Sequence, residues 1–482
     1  MTQNEKMTNY RWMICAMLFF ATTVNYLDRQ VLSLTWPKFI GPEFGWTNGD
    51  YGDITSMFSI IYAVCMLFAG RLVDWLDTKK GFLWAIGIWS VGACMHAFCG
   101  IATAGITTGT WVFSFEGASE LIRTAGITGR VVSISVLLFI SCRFVLALGE
   151  AGNFPAAIKA TAEYFPKKDR AFSTSIFNSG ATIGAMIAPA CILYIAEAFG
   201  WEMSFIIIGL LGFIWMGFWV FVYKKPEVHP KVNEAELDYI LQDKQDNKGE
   251  EKTPKEESRK LSFLECFQFK QTWAFAFGKF MTDGVWWFFL FWMPKYLQSV
   301  FKLEGTQQIL PLTVLYTIVM LSIIGGWLPS YFIDKKGMNP YAGRMKAMLI
   351  FAFFPLLALF AQPLGNYTYW LPVIIIGIAG AAHQAWSANI FSTVGDMFPK
   401  SAIATVTGIG GMAGGIGSFI MNQGSGKLFD YAESTHMEFL GFKDEPAGYF
   451  IIFIVCAVAY LIGWIVMKSL VPKYKVITVD KE

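Results

Sequence analysis

The stretch GRLVDWLDTKKG, residues 70–81, returns as GWLPSYFIDKKG at residues 326–337, an offset of 256. Both copies open on a glycine and close on Lys-Lys-Gly. A second pair, Phe165-Pro166-Lys167 and Phe398-Pro399-Lys400, is offset by 233 and continues through Ala171 with Ala404, Ile183 with Ile416 and Gly184 with Gly417. Chance could produce either match alone. Two in the same order, each at an equivalent turn, imply two related halves. The offset falls by 23, so the first half holds that many extra residues between the landmarks. The Gly/Thr-rich stretch 103–131 is the place for them, and we expect an enlarged external loop there with a short helix at Ala118–Arg123.

Working outward, the chain of 482 residues is 55% hydrophobic and 15% charged, whereas a soluble domain carries about 25% charged residues. Lipid offers no partner to backbone polar groups, so apolar runs of about 20 residues must be helices. Such runs lie near residues 11–34, 50–75, 82–102, 132–159, 171–198, 203–223, 271–299, 308–333, 344–362, 368–395, 401–429 and 448–470. The first, from Trp12 to Val24, leads into Asn25-Tyr26-Leu27-Asp28-Arg29 and not into a small-residue cleavage site, so it reads as a retained helix. The expected fold is an all-α membrane protein: twelve transmembrane helices in two pseudo-symmetric six-helix bundles. Residues 1–223 form the first bundle with its insertion, 224–270 a polar linker, and 271–482 the second bundle and a short tail. Within the linker, Asn233 followed by Glu236 reads as a capping box opening a surface helix over Glu234–Gln242.

About 27 of the 38 Lys and Arg fall in the even-numbered gaps, the termini and the linker, about seven on the opposite side and about four within the runs. That asymmetry places both termini in the cytoplasm. A net charge of +2 gives no sign of nucleic-acid binding. The eight Cys have no metal-ligand spacing, and several lie within apolar runs as packing residues. The Gly run through Gly408, Gly410, Gly411, Gly414, Gly415 and Gly417 suits sliding helix contacts. It is no phosphate loop, because no strand precedes it and no Lys-Ser/Thr follows. With no nucleophile motif or cofactor loop either, an enzyme is not expected, nor a cofactor or metal.

A charge at mid-membrane costs about 3 kcal/mol or more, so each needs a reason. Asp28 and Arg29 lie in the first run; Arg143, Glu150 and Lys159 in the fourth; Lys279 and Asp283 in the seventh; His383 in the tenth. Asn25, Tyr62, Asn178, Gln384 and Asn389 add polarity. Arg143 and Glu150, seven apart, share a helix face. Arg29 and Arg143 can together meet a carboxylate through planar guanidinium forks; the alternative is that each merely neutralises a nearby acid, Asp28 or Glu150. These two acids are the candidate proton carriers, since burial and arginine act oppositely on a carboxyl. Lys279 and Asp283, four apart, form either an intrahelical ion pair or a ligand site. Trp286, Trp287, Phe288 and Phe289 follow, an aromatic run suited to lipid or core, one face of which could close over a sugar ring. His383 serves either substrate contact and proton sensing or a hydrogen bond between helices. The Gln384 amide suits sugar hydroxyls.

Residues 70–81 resemble the loop signature of the major facilitator superfamily. By that resemblance Gly70 permits close helix approach and Asp74 latches one conformation by bonding to a neighbouring helix end. Within the superfamily the chain resembles the anion:cation symporters, most closely the bacterial hexuronate transporters. The resemblance rests on Tyr26-Leu27-Asp28-Arg29, the Tyr62 region, Gly149-Glu150-Ala151 with Phe154-Pro155, Phe165-Pro166, the run from Phe177 to Pro189, Lys279 with Asp283, and Ala382-His383-Gln384-Ala385. The aldonate branch typically has Gln in place of Ala181 and Asn in place of Gly411, yet Asp28 is an aldonate-branch feature. The resemblance implies that Arg29, Tyr62 and Arg143 bind the anion, that Asn178, His383 and Gln384 contact the sugar, and that Asp28 and Glu150 are protonated. The expected activity is proton-coupled import of a hexuronate, galacturonate or glucuronate, by alternating access. An aldonate or other small organic-anion symporter is the alternative, and a non-transporting sensor a further one. The expected setting is the bacterial cytoplasmic membrane, as a monomer whose partners are the substrate, protons and the bilayer.

Overall fold

The computed structural model describes residues 7–245 and 262–477. Among them, eight helices are long and apolar enough to cross a membrane: α2 (Asn48–Leu76), α4 (Gly129–Tyr164), α5 (Lys167–Phe199), α6 (Trp201–Val222), α8 (Gly305–Lys335), α9 (Pro340–Gly365), α10 (Trp370–Met397) and α12 (Glu445–Leu470). A ninth, α3, is a pair bent by 50°, Thr78–Ala97 followed by Cys99–Thr108. Three more, α1 (Tyr10–Thr35), α7 (Lys270–Phe301) and α11 (Lys400–Ser434), are 26, 32 and 35 residues long. They are less apolar because they carry the intramembrane charges or the glycine run. Together these make the expected twelve.

The repeated turns occupy matching places. Residues 70–81 join α2 to α3, and 326–337 close α8 ahead of α9. Pro166 and Pro399 stand at the N-caps of α5 and α11 with nearly equal backbone angles, φ/ψ of −63/156° and −62/149°. Proline suits that position, since its fixed φ and missing N–H cost nothing before a helix's first turn. Within the first half, α1 packs on α5, α3 on α4 and α6, and α2 on α4; within the second, α7 packs on α11 and α12, and α10 on α8 and α9. Between halves, α2 lies along α11, α5 along α8, and α1 touches α7. Close approach along the α2–α11 seam needs glycine: a Cβ on Gly415 would lie 2.1 Å from the Ala63 Cβ.

Among the described residues, that seam is tied at one end only. Asp430 of α11 accepts hydrogen bonds from the Asn48 and Gly49 amides at the start of α2, at 2.9 and 2.7 Å. The Gln423 amide donates to Asp53, the Gln298 amide donates to the Pro37 carbonyl, and the Tyr51 hydroxyl donates to the Phe291 carbonyl. Glu197 of α5 accepts from both Lys38 and the Thr306 amide. At the Gly70–Gly81 end, the described bonds run within a half, Lys79 to the Val220 carbonyl and Arg344 to Asp396.

Three expectations need correction. The inserted stretch is not a loop from residue 103, because α3 continues helically to Thr108 before the chain leaves it. Its own helix is longer than expected, Phe115–Ala125, capped by the Ser114 hydroxyl. In the linker, Asn233 does cap Glu234–Gln245, its side chain accepting from the Glu236 amide. Among the described bonds the reciprocal half of the capping box does not appear: the Asn233 amide donates to the Thr8 hydroxyl, and the buried Glu236 carboxylate caps α1. It accepts from the Thr8 hydroxyl, the Tyr10 and Arg11 amides and the Arg11 guanidinium. Burial alone would raise this carboxyl, but those four donors hold it below its usual range. Finally, Gly70 shows no close approach among the described residues. A Cβ on it would meet none of them within 4 Å, whereas one on Gly81 would lie 3.2 Å from the Val73 Cα. The Asp74 side chain lies outside the described residues, as do 246–261 and the tail beyond 477. One feature was not expected at all, a two-strand hairpin between α11 and α12, Glu438–Phe439 with Phe442–Lys443. Leu440 and Gly441, both at positive φ, make its turn.

Candidate functional site

Helix α1 presents Asn25, Asp28 and Arg29 at spacings of three and four, hence on one face, and every one of them is buried. Helix α4 presents Arg143 and Glu150 two turns apart, both buried. The helix is interrupted just past Glu150 and restarts at Asn153. Tight packing fixes that interruption against α3, since a Cβ on Gly149 would lie 2.3 Å from the Trp89 amide nitrogen.

The two faces meet. Arg29 donates through Nε and Nη2 to the same Glu150 oxygen, Oε2, at 2.9 and 2.6 Å. Its guanidinium carbon also stands over four aromatic rings: Tyr26 and Tyr62 at 4.9 Å, Trp287 at 5.0 Å and Phe58 at 5.8 Å. Guanidinium attraction to a ring face is worth about 2 kcal/mol when desolvated, so this cage offsets part of the cost of burying the Arg29 cation. Of the two possibilities the sequence left open, a hydrogen-bonded pair of arginine and acid is described for Arg29; Arg143 has Asp28 and Glu150 within electrostatic reach. The Arg143 guanidinium lies over Phe58 at 5.2 Å, and among the described residues its Nε and Nη1 have no hydrogen-bond partner. Both Asp28 oxygens, Oε1 of Glu150, and both amide atoms of Asn25 and of Asn153 are likewise buried without partners. Asp28 lies within electrostatic reach of Glu150, Arg143 and Arg29. Polar atoms buried with nothing to bond are costly. The unpartnered oxygens of Asp28 and Glu150 lie within electrostatic reach of both arginines, and this is the chemistry that an anionic polar ligand, with its waters, would satisfy.

The second-half residues form a separate group. Lys279 and Asp283 make the intrahelical ion pair, 2.7 Å apart and largely buried. Lys279 also lies over Phe391 at 4.3 Å, and Asp283 packs directly on Gly414 of α11. His383 of α10 stacks on Trp286 at 5.4 Å with the rings 2° from parallel, and its Nδ1 is 2.8 Å from the Tyr460 hydroxyl of α12. That is the bond between helices offered above as one alternative. Gln384 is half-buried and Asn178 is exposed. Tyr62 is half-buried, and its ring centre is 5.9 Å from that of Trp287. The structure thus brings Asp28, Arg29, Tyr62, Arg143 and Glu150 together; it does not join Asn178, His383 or Gln384 to them by any described contact. Tyr26, Phe58 and Trp287 enter the cluster without having been singled out for it. Spacing carried a signal for each: Tyr26 is three before Arg29, Phe58 four before Tyr62, and Trp287 four after Asp283.

The family model of the Major Facilitator Superfamily matches residues 18–422. The chain belongs to the Major Facilitator Superfamily. It is therefore a multi-pass membrane transporter and not an enzyme. It is similar to the hexuronate transporter of Escherichia coli (strain K12), 27% identical over 484 residues that cover 99% of this chain and 98% of that one. It is also similar to the galacturonate transporter of Dickeya chrysanthemi, 25% identical over 343 residues, 70% of this chain and 87% of that one. Among solved structures, a bacterial homologue of the human lysosomal transporter Spinster, in its inward-facing and unoccupied conformation, aligns with a TM-score of 0.66. It is 18% identical, over 96% of this chain and 98% of that one, a likeness of fold alone.

Proposed function

We propose that this facilitator is a proton-coupled symporter importing a sugar acid, galacturonate or glucuronate, by alternating access. The observation that carries the reading is the Arg29–Glu150 pair beside Asp28 and the Nε and Nη1 of Arg143, which have no hydrogen-bond partner among the described residues. A substrate carboxylate entering between the arginines would take the place of Glu150 on Arg29. Glu150 would then bind a proton, because a buried carboxylate deprived of its cation is strongly disfavoured. The charge balance follows. With one proton per monoanion the site stays neutral. With a second proton, on Asp28, it gains one positive charge, and uptake is driven by the membrane potential at about 2.3 kcal/mol per charge per 100 mV. Likeness to a hexuronate and a galacturonate transporter over most of the chain supports the substrate class. Asp28, shared with the aldonate branch, favours an aldonate as the second reading.

The proposed division is a first bundle at 1–223, the linker at 224–270 and a second bundle at 271–482. With both termini in the cytoplasm of a bacterial inner membrane, the end tied by Asp430 faces outward, and the structure is closed to the outside. The working unit is a monomer.

Uptake of labelled galacturonate into proteoliposomes, with and without an imposed pH gradient, tests the reading. Gradient-driven accumulation is expected. Uptake of galactonate alone would refute the substrate, and uptake indifferent to the gradient would refute coupling. Arg29→Ala should abolish binding, whereas Glu150→Gln should retain binding and lose accumulation.

A further inference from the structure

Trp287 is the part of the aromatic run that faces away from its own half. Trp286 stacks on His383 within the second half, and Phe288 and Phe289 are buried. Trp287 is half-buried and reaches across to the first half, with its ring centre 5.7 Å from that of Phe58 and 5.9 Å from that of Tyr62. It is the one member of the Arg29 aromatic cage supplied by the second half; Tyr26, Phe58 and Tyr62 all belong to α1 and α2. Rocking of one half against the other, the motion by which such bundles alternate access, leaves those three rings in place and moves Trp287.

We propose that Trp287 is a positioning residue that ties the proton affinity of Glu150 to the relative position of the two halves. It acts through Arg29, resting on the reading of Glu150 as a proton carrier. With Trp287 in place, Arg29 is covered on the second-half side and its hydrogen-bonded partner is Glu150. When Trp287 withdraws, that side of the guanidinium is uncovered, the ion pair weakens, and Glu150 and Arg29 are each released to their cargo. The charged and titratable groups acting on the pair are Asp28 and Tyr26 on α1, Tyr62 on α2 and Arg143 on α4 itself; from α7, Asp283, paired with Lys279, reaches Tyr26. Of these only Asp283 and Lys279 move with Trp287.

The test uses the full-length protein without substrate, so that it stands apart from the identity of the cargo. Infrared difference spectroscopy follows the Glu150 carboxyl through a pH titration, its band assigned by loss in Glu150→Gln. Trp287→Ala is expected to displace the midpoint by a pH unit or more, and Trp287→Phe, which keeps a ring face, by less than half as much. In proteoliposomes the pH profile of uptake should move with it. An unmoved midpoint in a folded Trp287→Ala would refute the proposal, as would equal displacement by Ala and Phe. Failure of the wild type to accumulate any sugar acid would refute the proposed function instead, with the infrared result intact.

Discussion

Replacing Asp430 by Asn tests what holds one end of the transporter shut. The carboxylate takes the first two amides of α2 at 2.9 and 2.7 Å across the boundary between halves. It stands at the N-terminus of a 29-residue helix, where exposed N–H groups carry partial positive charge. Hydrogen bonds to a charged acceptor contribute about 1.5–3 kcal/mol against about 1 for neutral ones. Asn keeps one acceptor, turns an N–H toward the other amide, and loses the attraction to the helix end. Asp430 is half-buried, so solvent screening favours the lower part of the range, about 1–2 kcal/mol. At 1.4 kcal/mol per decade this is a fall of about 5- to 30-fold in the ratio of closed to open. Hydrogen–deuterium exchange read on the peptide containing Asn48 and Gly49 should quicken by that factor, while peptides from α10 stay unchanged. Gly49→Ala should act in the same direction by another route, since its Cβ would lie 2.6 Å from the Asp430 carboxylate. Unaltered exchange at Asn48–Gly49 in Asp430→Asn would show that the closed end is held elsewhere.

Two further outcomes are expected. Glu236→Gln should lower thermal stability in detergent by about 1–3 kcal/mol, because it strips charge from a buried acceptor of four donors. The Glu236 carboxyl is held below its unfolded value. Its contribution is therefore present above the ordinary carboxyl range and lost as pH falls through the folded value, so the gap between wild type and variant should close in acid; a gap independent of pH would contradict the assignment. Gly415→Ala, with its new Cβ 2.1 Å from that of Ala63, should open the α2–α11 seam and impair transport more than Gly411→Ala, whose Cβ would meet nothing within 4 Å. Equal transport by the two variants would deny the seam a role.

The architecture was legible because lipid leaves the backbone one answer. Twelve apolar runs had to be helices, and a repeated turn such as Phe-Pro-Lys had to recur where halves are related. Proline before a first helical turn is a local rule, and Pro166 and Pro399 obey it regardless of what surrounds them. The Gly70 reading could not come from the motif alone, because what a glycine is for depends on what comes near it, and none of the described residues does. The capping box at Asn233 half failed for a similar reason. Glu236 can reach back along its own helix in any chain, but only the fold brings the start of α1 close enough to compete for it.

For the site, the sequence alone determined which charges are buried and that Arg143 shares a face with Glu150, because spacing on one helix is a matter of geometry. It also limited the chemistry to two acids and two arginines in the first half. Only the tertiary structure decided the pairing: Arg29 takes Glu150, 121 positions away, and among the described residues Asp28 and the Nε and Nη1 of Arg143 are left without hydrogen-bond partners. Pairing between helices depends on how they are rotated and how far they are inserted against one another, which packing at glycines such as Gly149 sets and no local pattern encodes. The same holds for Trp287, one aromatic residue among four in sequence and the only one of them that the fold lays against Arg29.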